Sequence, residues 1–284
     1  MESIDYLQTK EFADHDPELL KLNVRSLDLT SIIEYRGGEE VENEDILFVL
    51  KQLDWSVTRL ANGRINNPTL DRVRKMIGGW YILPFYGLAD RAPIDYFRFK
   101  PTNPPADKKP GKFKKYLGAE GVSPRAYCPN VTEGLWATIA ARYGVEKTGI
   151  DFWEWILDHP EIPVIITEGE QKAYAGLKAG YVVISLPGID CGYKSSSDND
   201  DGSGGKLSLI PDLQVLAEGG RTIYIAFDRD SNPQTVKRVQ KARQKLARLF
   251  AELGCETRSI TALLGSYPDP IRLLRVIWGI STSF

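Results

Sequence analysis

The sequence predicts an α/β protein in which a parallel sheet with helices on both faces follows a smaller, basic α+β subdomain. Three observations predict it. Short apolar runs rich in β-branched residues, at 164–166, 182–186 and 222–227, alternate with helix-length amphipathic stretches in the second half of the chain, the order of right-handed βαβ units. Two of these runs end in acid, as ITEGE at 166–170 and AFDRD at 226–230, and strand carboxyl ends in such a sheet face the crevice where ligands bind. Upstream, WYILPFY at 80–86 and YFRFK at 96–100 are aromatic and strand-like, with a glycine- and proline-bearing turn between them.

With 284 residues, 42% of them apolar, the chain has material for one large core or two modest ones. The expected division is an acidic arm at 1–45, a helical and basic α+β subdomain at 46–160, and the sheet domain at 161–284. Net charge is only -2, but residues 1–50 hold 13 acidic against 4 basic side chains, and residues 91–129 hold nine basic against three acidic. A local basic patch attracts a polyanion even on a near-neutral molecule. Cys128, Cys191 and Cys255 are widely spaced and His15 and His159 are the only histidines, which excludes a structural zinc cluster and suits a reducing cytoplasm. The sequence shows no secretory leader and no apolar run of about 18 residues, so the expectation is a cytoplasmic protein without a membrane partner.

In chain order, the acidic leader reads as a solvated arm. Apolar spacing at Ile46, Leu47, Val49, Leu50, Leu53 and Trp55 predicts a helix over 44–60, with turns at Asn62-Gly63 and Asn67-Pro68. Strands follow at 80–86, where Pro84 marks an edge or a break, and at 96–100. A proline- and lysine-rich loop at 101–111 leads to short strands at 112–117 and 125–128, completing a small sheet with basic loops. Helices are expected at 132–142 and 150–157, stopped by Pro160 and Pro163, then at 170–179, 209–218 and 235–253 between the strands of the parallel sheet. Residues 192–206 lack an apolar anchor and read as a mobile loop. A calcium loop registered on Gly202 fails, because Ser208 stands where the bidentate glutamate is required.

In ITEGEQKA, Thr167 and Glu170 have the spacing of a helix capping box, which leaves Glu168 without a structural reason. Asp228 and Asp230 are two apart, so on an extended chain they point the same way, roughly 6–7 Å apart at the backbone. Three carboxylates from two strand ends, with no histidine or cysteine beside them, suit Mg²⁺ or Mn²⁺ rather than zinc. Such an ion orients phosphates and neutralises developing charge. Glu168, Asp228 and Asp230 are therefore the expected catalytic and metal-binding residues.

These segments carry a resemblance. ITEGEQKAYAGLKAGYVVISLPG followed by YIAFDRD resembles the TOPRIM domain of bacterial and phage primases, topoisomerases and related nucleases. The likeness is greatest to its variant in cyanobacterial and plasmid-borne proteins known only as a domain of unknown function. The resemblance implies a TOPRIM-like, Rossmannoid fold, a catalytic glutamate at Glu168, a metal-binding DxD at Asp228 and Asp230, and a polar helix position at Lys172. Lys115-Tyr116-Leu117 is similar to the KYLN element of the basic subdomain that precedes TOPRIM in primases, with Gly118 replacing the asparagine. It implies that Arg98, Lys100, Lys114 and Lys115 contact template or nucleotide phosphates. Alternation in YFRFK puts Arg98 opposite Phe97 and Phe99, giving a one-sided core with a basic outer face.

The sequence departs from the family after Gly254. Primases carry a further acidic pair on the next strand, whereas here the tail reads CETRSITALLG and holds Asp269 as its only aspartate; neither that strand nor its acids is predicted, and the tail reads as altered or truncated. The cysteines of a primase zinc-binding domain are also absent. The basic helix at 235–253, with Lys237, Arg238, Lys241, Arg243, Lys245 and Arg248, packs an apolar side on the sheet. The expected function is primase-like, Mg²⁺-dependent nucleotidyl transfer from nucleoside triphosphates on single-stranded DNA in plasmid or mobile-element replication, with a replicative helicase as partner. The alternatives are a metal-dependent nuclease or strand transferase, and a non-catalytic DNA-binding module of a replication complex.

Overall fold

The computed structural model describes residues 25–29, 31–53, 55–74, 78–107, 110–118, 122–195, 206–217, 219–228 and 232–260. They fall into two compact units, one within Met1–Pro84 and Pro93–Ser123, the other within Phe85–Ala92 and Pro124–Phe284.

The first unit opens with β1 (Arg25–Leu29), β2 (Ile33–Arg36) and β3 (Glu39–Glu42). Part of the acidic leader is thus strand: β2 and β3 pair antiparallel around Gly37 and Gly38, at φ 62° and 91°, a turn that needs two left-handed residues. Helix α1 (Glu44–Gln52) starts at Asn43, whose side chain accepts from the amides of Asp45 and Ile46, and buries Ile46, Phe48, Val49 and Leu50. It stops well short of the predicted residue 60. Where the sequence suggested a turn at Asn67-Pro68, α2 (Asn67–Arg74) begins. Asn66 accepts from the Thr69 amide at 2.9 Å, and Pro68 sits in the first turn, where its missing N–H costs nothing.

β4 (Gly78–Tyr86) lies between β1 and β5 (Pro93–Pro101). It is central rather than an edge, but β1 pairs only with residues 78–82, so Pro84 falls beyond that ladder and removes no donor from it. Trp80, Ile82, Phe97 and Phe99 pack with α1 into a core of their own. The alternation predicted for YFRFK holds, with Phe97 and Phe99 buried and Arg98 and Lys100 half-buried.

In the second unit, α3 (Glu133–Tyr143) and α4 (Phe152–Asp158) precede β6 (Val164–Glu168), α5 (Glu170–Lys178) and β7 (Val183–Leu186). A two-stranded excursion, β8 (Tyr193–Ser195) against β9 (Leu207–Leu209), leads to α6 (Pro211–Leu216), β10 (Thr222–Ala226), α7 (Pro233–Glu252) and β11 (Glu256–Ser259). The predicted loop at 192–206 therefore begins as strand, with β8 inside it, and its residues 196–205 lie outside the described ones. The parallel sheet has the order β11-β10-β6-β7. Val164 and Ile166 on one face and Ile165 and Thr167 on the other are all buried, as in a sheet flanked by helices on both sides. β11 is a strand that the sequence did not predict. It continues the parallel sheet by pairing Thr222 with Glu256 and Ile225 with Ser259.

Two arginines act inside this unit. Arg125, counted above in the basic stretch, donates to both carboxylate oxygens of buried Asp212 at 2.6 and 2.8 Å, and the Ala126 amide adds a third bond at 3.0 Å. This arrangement holds residues 125–128 against the sheet, where Tyr127 bridges Ser185 of β7 antiparallel instead of joining the first unit's strands. Arg221 is 1% exposed and donates to the carbonyl oxygens of Ile156, His159, Ile162 and Leu216. It satisfies the C-terminal carbonyls of α4, and burial holds its guanidinium down to about 10.

Candidate functional site

β6 and β10 are adjacent and parallel, with Ile166 beside Ile225 and Thr167 beside Ala226. That register brings the acids at their carboxyl ends to the same edge of the sheet: Glu168 closes β6, and Asp228 follows buried Phe227 just past β10. Glu168 is half-buried, and burial first and the Asp228 carboxylate second push its pKa up, against the lowering fields of Lys172 and Arg238. Ionised Glu168 is thus held in an unfavourable field, the condition in which a carboxylate gains most from an added cation.

The turn that presents Glu168 depends on Gly169, whose φ of 88° is left-handed and whose amide donates to the Leu186 carbonyl at 3.0 Å. Gly169 is also the N-cap of α5, and no side chain caps that helix. The predicted capping box is therefore absent. Thr167 remains inside β6, and its hydroxyl donates instead to the Ala226 carbonyl at 2.9 Å, tying together the two strand ends that carry the acids. Glu170 is buried at 1% exposure.

Lys172, one turn into α5, reaches across to Asp228, with Nζ 2.5 Å from Oδ2. The resemblance implies a polar residue at this position; in this structure its ammonium lies against a carboxylate of the acidic edge. Asp230 lies outside the described residues, so the described carboxylates of the predicted triad are Glu168 and Asp228. Among the described residues no group of three histidine, cysteine, aspartate or glutamate side chains is gathered as a metal cage.

Three further residues belong to this edge. Asp190, in the loop after β7, accepts from the Tyr193 hydroxyl at 2.6 Å and from Arg238 Nε and Nη2 at 3.1 and 2.8 Å. Arg238 comes from α7, and its field also reaches Glu168. Burial opposes ionisation of Asp190, but the bonds from Tyr193 and Arg238 outweigh it and hold the carboxyl below its usual range. Asp190 does not directly end a strand, so the pattern that marks Glu168 and Asp228 does not mark it. The signal was present in SLPGID, an acid in the loop leaving β7 at the ligand-facing edge.

Arg98, Lys100, Lys114 and Lys115 belong to the first unit. The Arg98 guanidinium lies 5.5 Å and the Lys100 ammonium 6.0 Å from the centre of the Tyr116 ring. Burial, and secondarily the charge of Lys115, lower the Lys100 pKa. The antiparallel bridge between Phe99 and Leu117 brings this KYL segment beside β5.

Residues 152–265 match the family described as Domain of unknown function (DUF3854). The matched stretch contains the parallel sheet β11-β10-β6-β7 and every residue named at its acidic edge. Over 252 residues the chain is 36% identical to an uncharacterized protein of Picosynechococcus sp.; the alignment covers 86% of this chain and 23% of that relative. The chain thus spans about a quarter of the relative's length. No solved structure matches it. No described helix is long and apolar enough to cross a membrane.

Proposed function

We propose that the acidic edge of the DUF3854 region is a TOPRIM-type divalent-cation site serving primase-like nucleotidyl transfer on single-stranded DNA. The observation that carries the reading is the convergence of Glu168 and Asp228 from neighbouring parallel strands, with the Glu168 pKa raised by burial and by Asp228. Glu168 and Asp228, both half-buried, are hard oxygen donors, and Mg²⁺ or Mn²⁺ fits them. Glu168 and Asp228 would hold the ion, with Asp230 added from the same DxD motif. When bound, the ion orients phosphate oxygens and offsets their charge.

The protein's own groups have separable roles in this reading. Glu168 either completes the shell of the ion or, where Asp228 and Asp230 hold the ion without it, accepts a proton from a 3′ hydroxyl. Lys172 balances Asp228 before substrate arrives and is long enough to turn toward a phosphate. Arg238, oriented by Asp190, supplies a second cation at the same edge. In the first unit, Arg98, Lys100, Lys114 and Lys115 hold the polynucleotide backbone. Plasmid or mobile-element replication and a helicase partner are the setting in which such an activity would operate.

Primer synthesis from labelled nucleoside triphosphates on single-stranded DNA tests the reading. The wild type should extend primers only with Mg²⁺ or Mn²⁺, and Asp228→Ala should lower the rate by at least 100-fold without loss of fold. No product with any template or metal rejects nucleotidyl transfer. DNA cleavage without triphosphates, lost in the same variant, would assign the site to a nuclease instead.

A further inference from the structure

We propose that Phe113 is a base-stacking residue and that the hairpin carrying it is the single-strand-binding face of the first unit, a proposal that rests on the polynucleotide substrate inferred above. The basic region carries five aromatics, Tyr96, Phe97, Phe99, Phe113 and Tyr116. The structure separates them. Phe97 and Phe99 are 5% and 0% exposed and belong to the core, whereas Phe113 is 60% exposed.

Its exposure is built in. Phe113 bridges Ala106 across a hairpin closed by the Asp107 amide on the Lys112 carbonyl at 2.8 Å and the Lys114 amide on the Pro105 carbonyl at 2.9 Å. Lys112, Lys114 and Lys115 flank the ring in sequence, and Lys112 and Lys115 are exposed. The hairpin continues directly into Tyr116, which already carries Arg98 and Lys100 near its ring. From 93 to 118 the chain holds seven basic and two acidic side chains.

A ligand for this surface must present negative charge at short intervals and flat apolar faces between the charges. Single-stranded nucleic acid does both. Duplex satisfies the lysines but keeps its base faces stacked inside, and an acidic peptide supplies charge without a regular series of planar rings. Burial first and the charge of Lys115 second lower the Lys100 pKa, and a bound phosphate offsets the repulsion between the two lysines. The occupant is therefore a single strand, its phosphates on the lysines and at least one base on Phe113.

The test uses the full chain, a fluorescein-labelled oligo-dT and a duplex of equal length, with Phe113→Ala, Phe113→Leu and Phe113→Trp compared over a range of salt. Stacking is worth about 1–3 kcal/mol per base, so Phe113→Ala should bind oligo-dT about 5- to 150-fold more weakly. Its affinity for duplex and its salt slope should stay as in wild type, because the phosphate contacts remain. Phe113→Trp should restore binding, while Phe113→Leu should remain weak. Wild-type affinity in Phe113→Ala, an equal loss on duplex, rescue by leucine, or failure of the wild type to bind oligo-dT overturns the proposal. The substituted side chain is exposed, so circular dichroism should be unchanged. Stacking without primer synthesis would reject the transfer activity alone, and primer synthesis with unaltered binding by Phe113→Ala would reject stacking alone.

Discussion

Glu168 is a carboxylate that the fold holds at a cost in stability. Its pKa is raised by burial and by Asp228, so the folded protein holds protons more tightly there than the unfolded chain. The sign follows: below the unfolded value both states are protonated and the group is neutral in its effect, and as pH rises toward the folded value the unfolded chain ionises first and stability falls. In metal-free buffer Glu168→Gln should therefore melt at a higher temperature than wild type at neutral pH, with the gap closing as pH falls below the ordinary carboxylate range. Thermal denaturation across pH checks this; a variant less stable than wild type at neutral pH would show that ionised Glu168 makes a net favourable contact. Arg125 and Arg221 illustrate the opposite use of charge. Both are fully engaged inside the second unit, one on Asp212 and one on four carbonyls, and neither identity distinguishes such a role from a phosphate contact before the fold is known.

At the scale of elements, the period-2 and βαβ patterns made β6, β7 and β10 and the helices between them readable, because both-face burial leaves an uninterrupted apolar run. β11 escaped because ETRS has no such run: it is an edge strand whose Glu256 and Arg258 pair with each other in solvent. Its presence restores the strand expected after the DxD element, while the paired acids of the primase pattern are not on it. The capping box failed for a different reason. Thr167 and Glu170 had the right spacing, but β6 continues through Glu168 and the turn falls at Gly169. The packing of α5 on β7 is tight at one point, where a Cβ on Gly176 would lie 2.4 Å from Val183 Cγ2. Gly176→Ala should cost about 1–3 kcal/mol from overpacking, partly offset by about 1 kcal/mol of helix propensity. Adding Val183→Ala should recover part of the loss, and a double-mutant cycle in urea measures the coupling; strictly additive effects would mean that the two residues do not meet.

At the scale of the whole molecule, the two units have separate cores, one around Trp80 and Phe99 and the other around Trp153, Ile166 and Leu246. Separate cores predict separable unfolding. In calorimetry, Leu246→Ala should lower one transition by the equivalent of about 2–5 kcal/mol and Phe99→Ala the other by about 3–5 kcal/mol, each leaving its counterpart in place. A single transition shifted equally by both substitutions would show that the units unfold together. The sequence by itself determined the α/β class, the three strand runs at 164–166, 182–186 and 222–227 with helices between them, and the two acidic strand ends, because these depend on local periodicity and on the chemistry of strand termini. Only the tertiary structure decided which charges are available. It placed Lys172 on Asp228, committed half-buried Arg125 to Asp212 and buried Arg221 to backbone carbonyls, brought Asp190 and Arg238 to the acidic edge and left Phe113 in solvent, since pairing and exposure depend on neighbours far away along the chain.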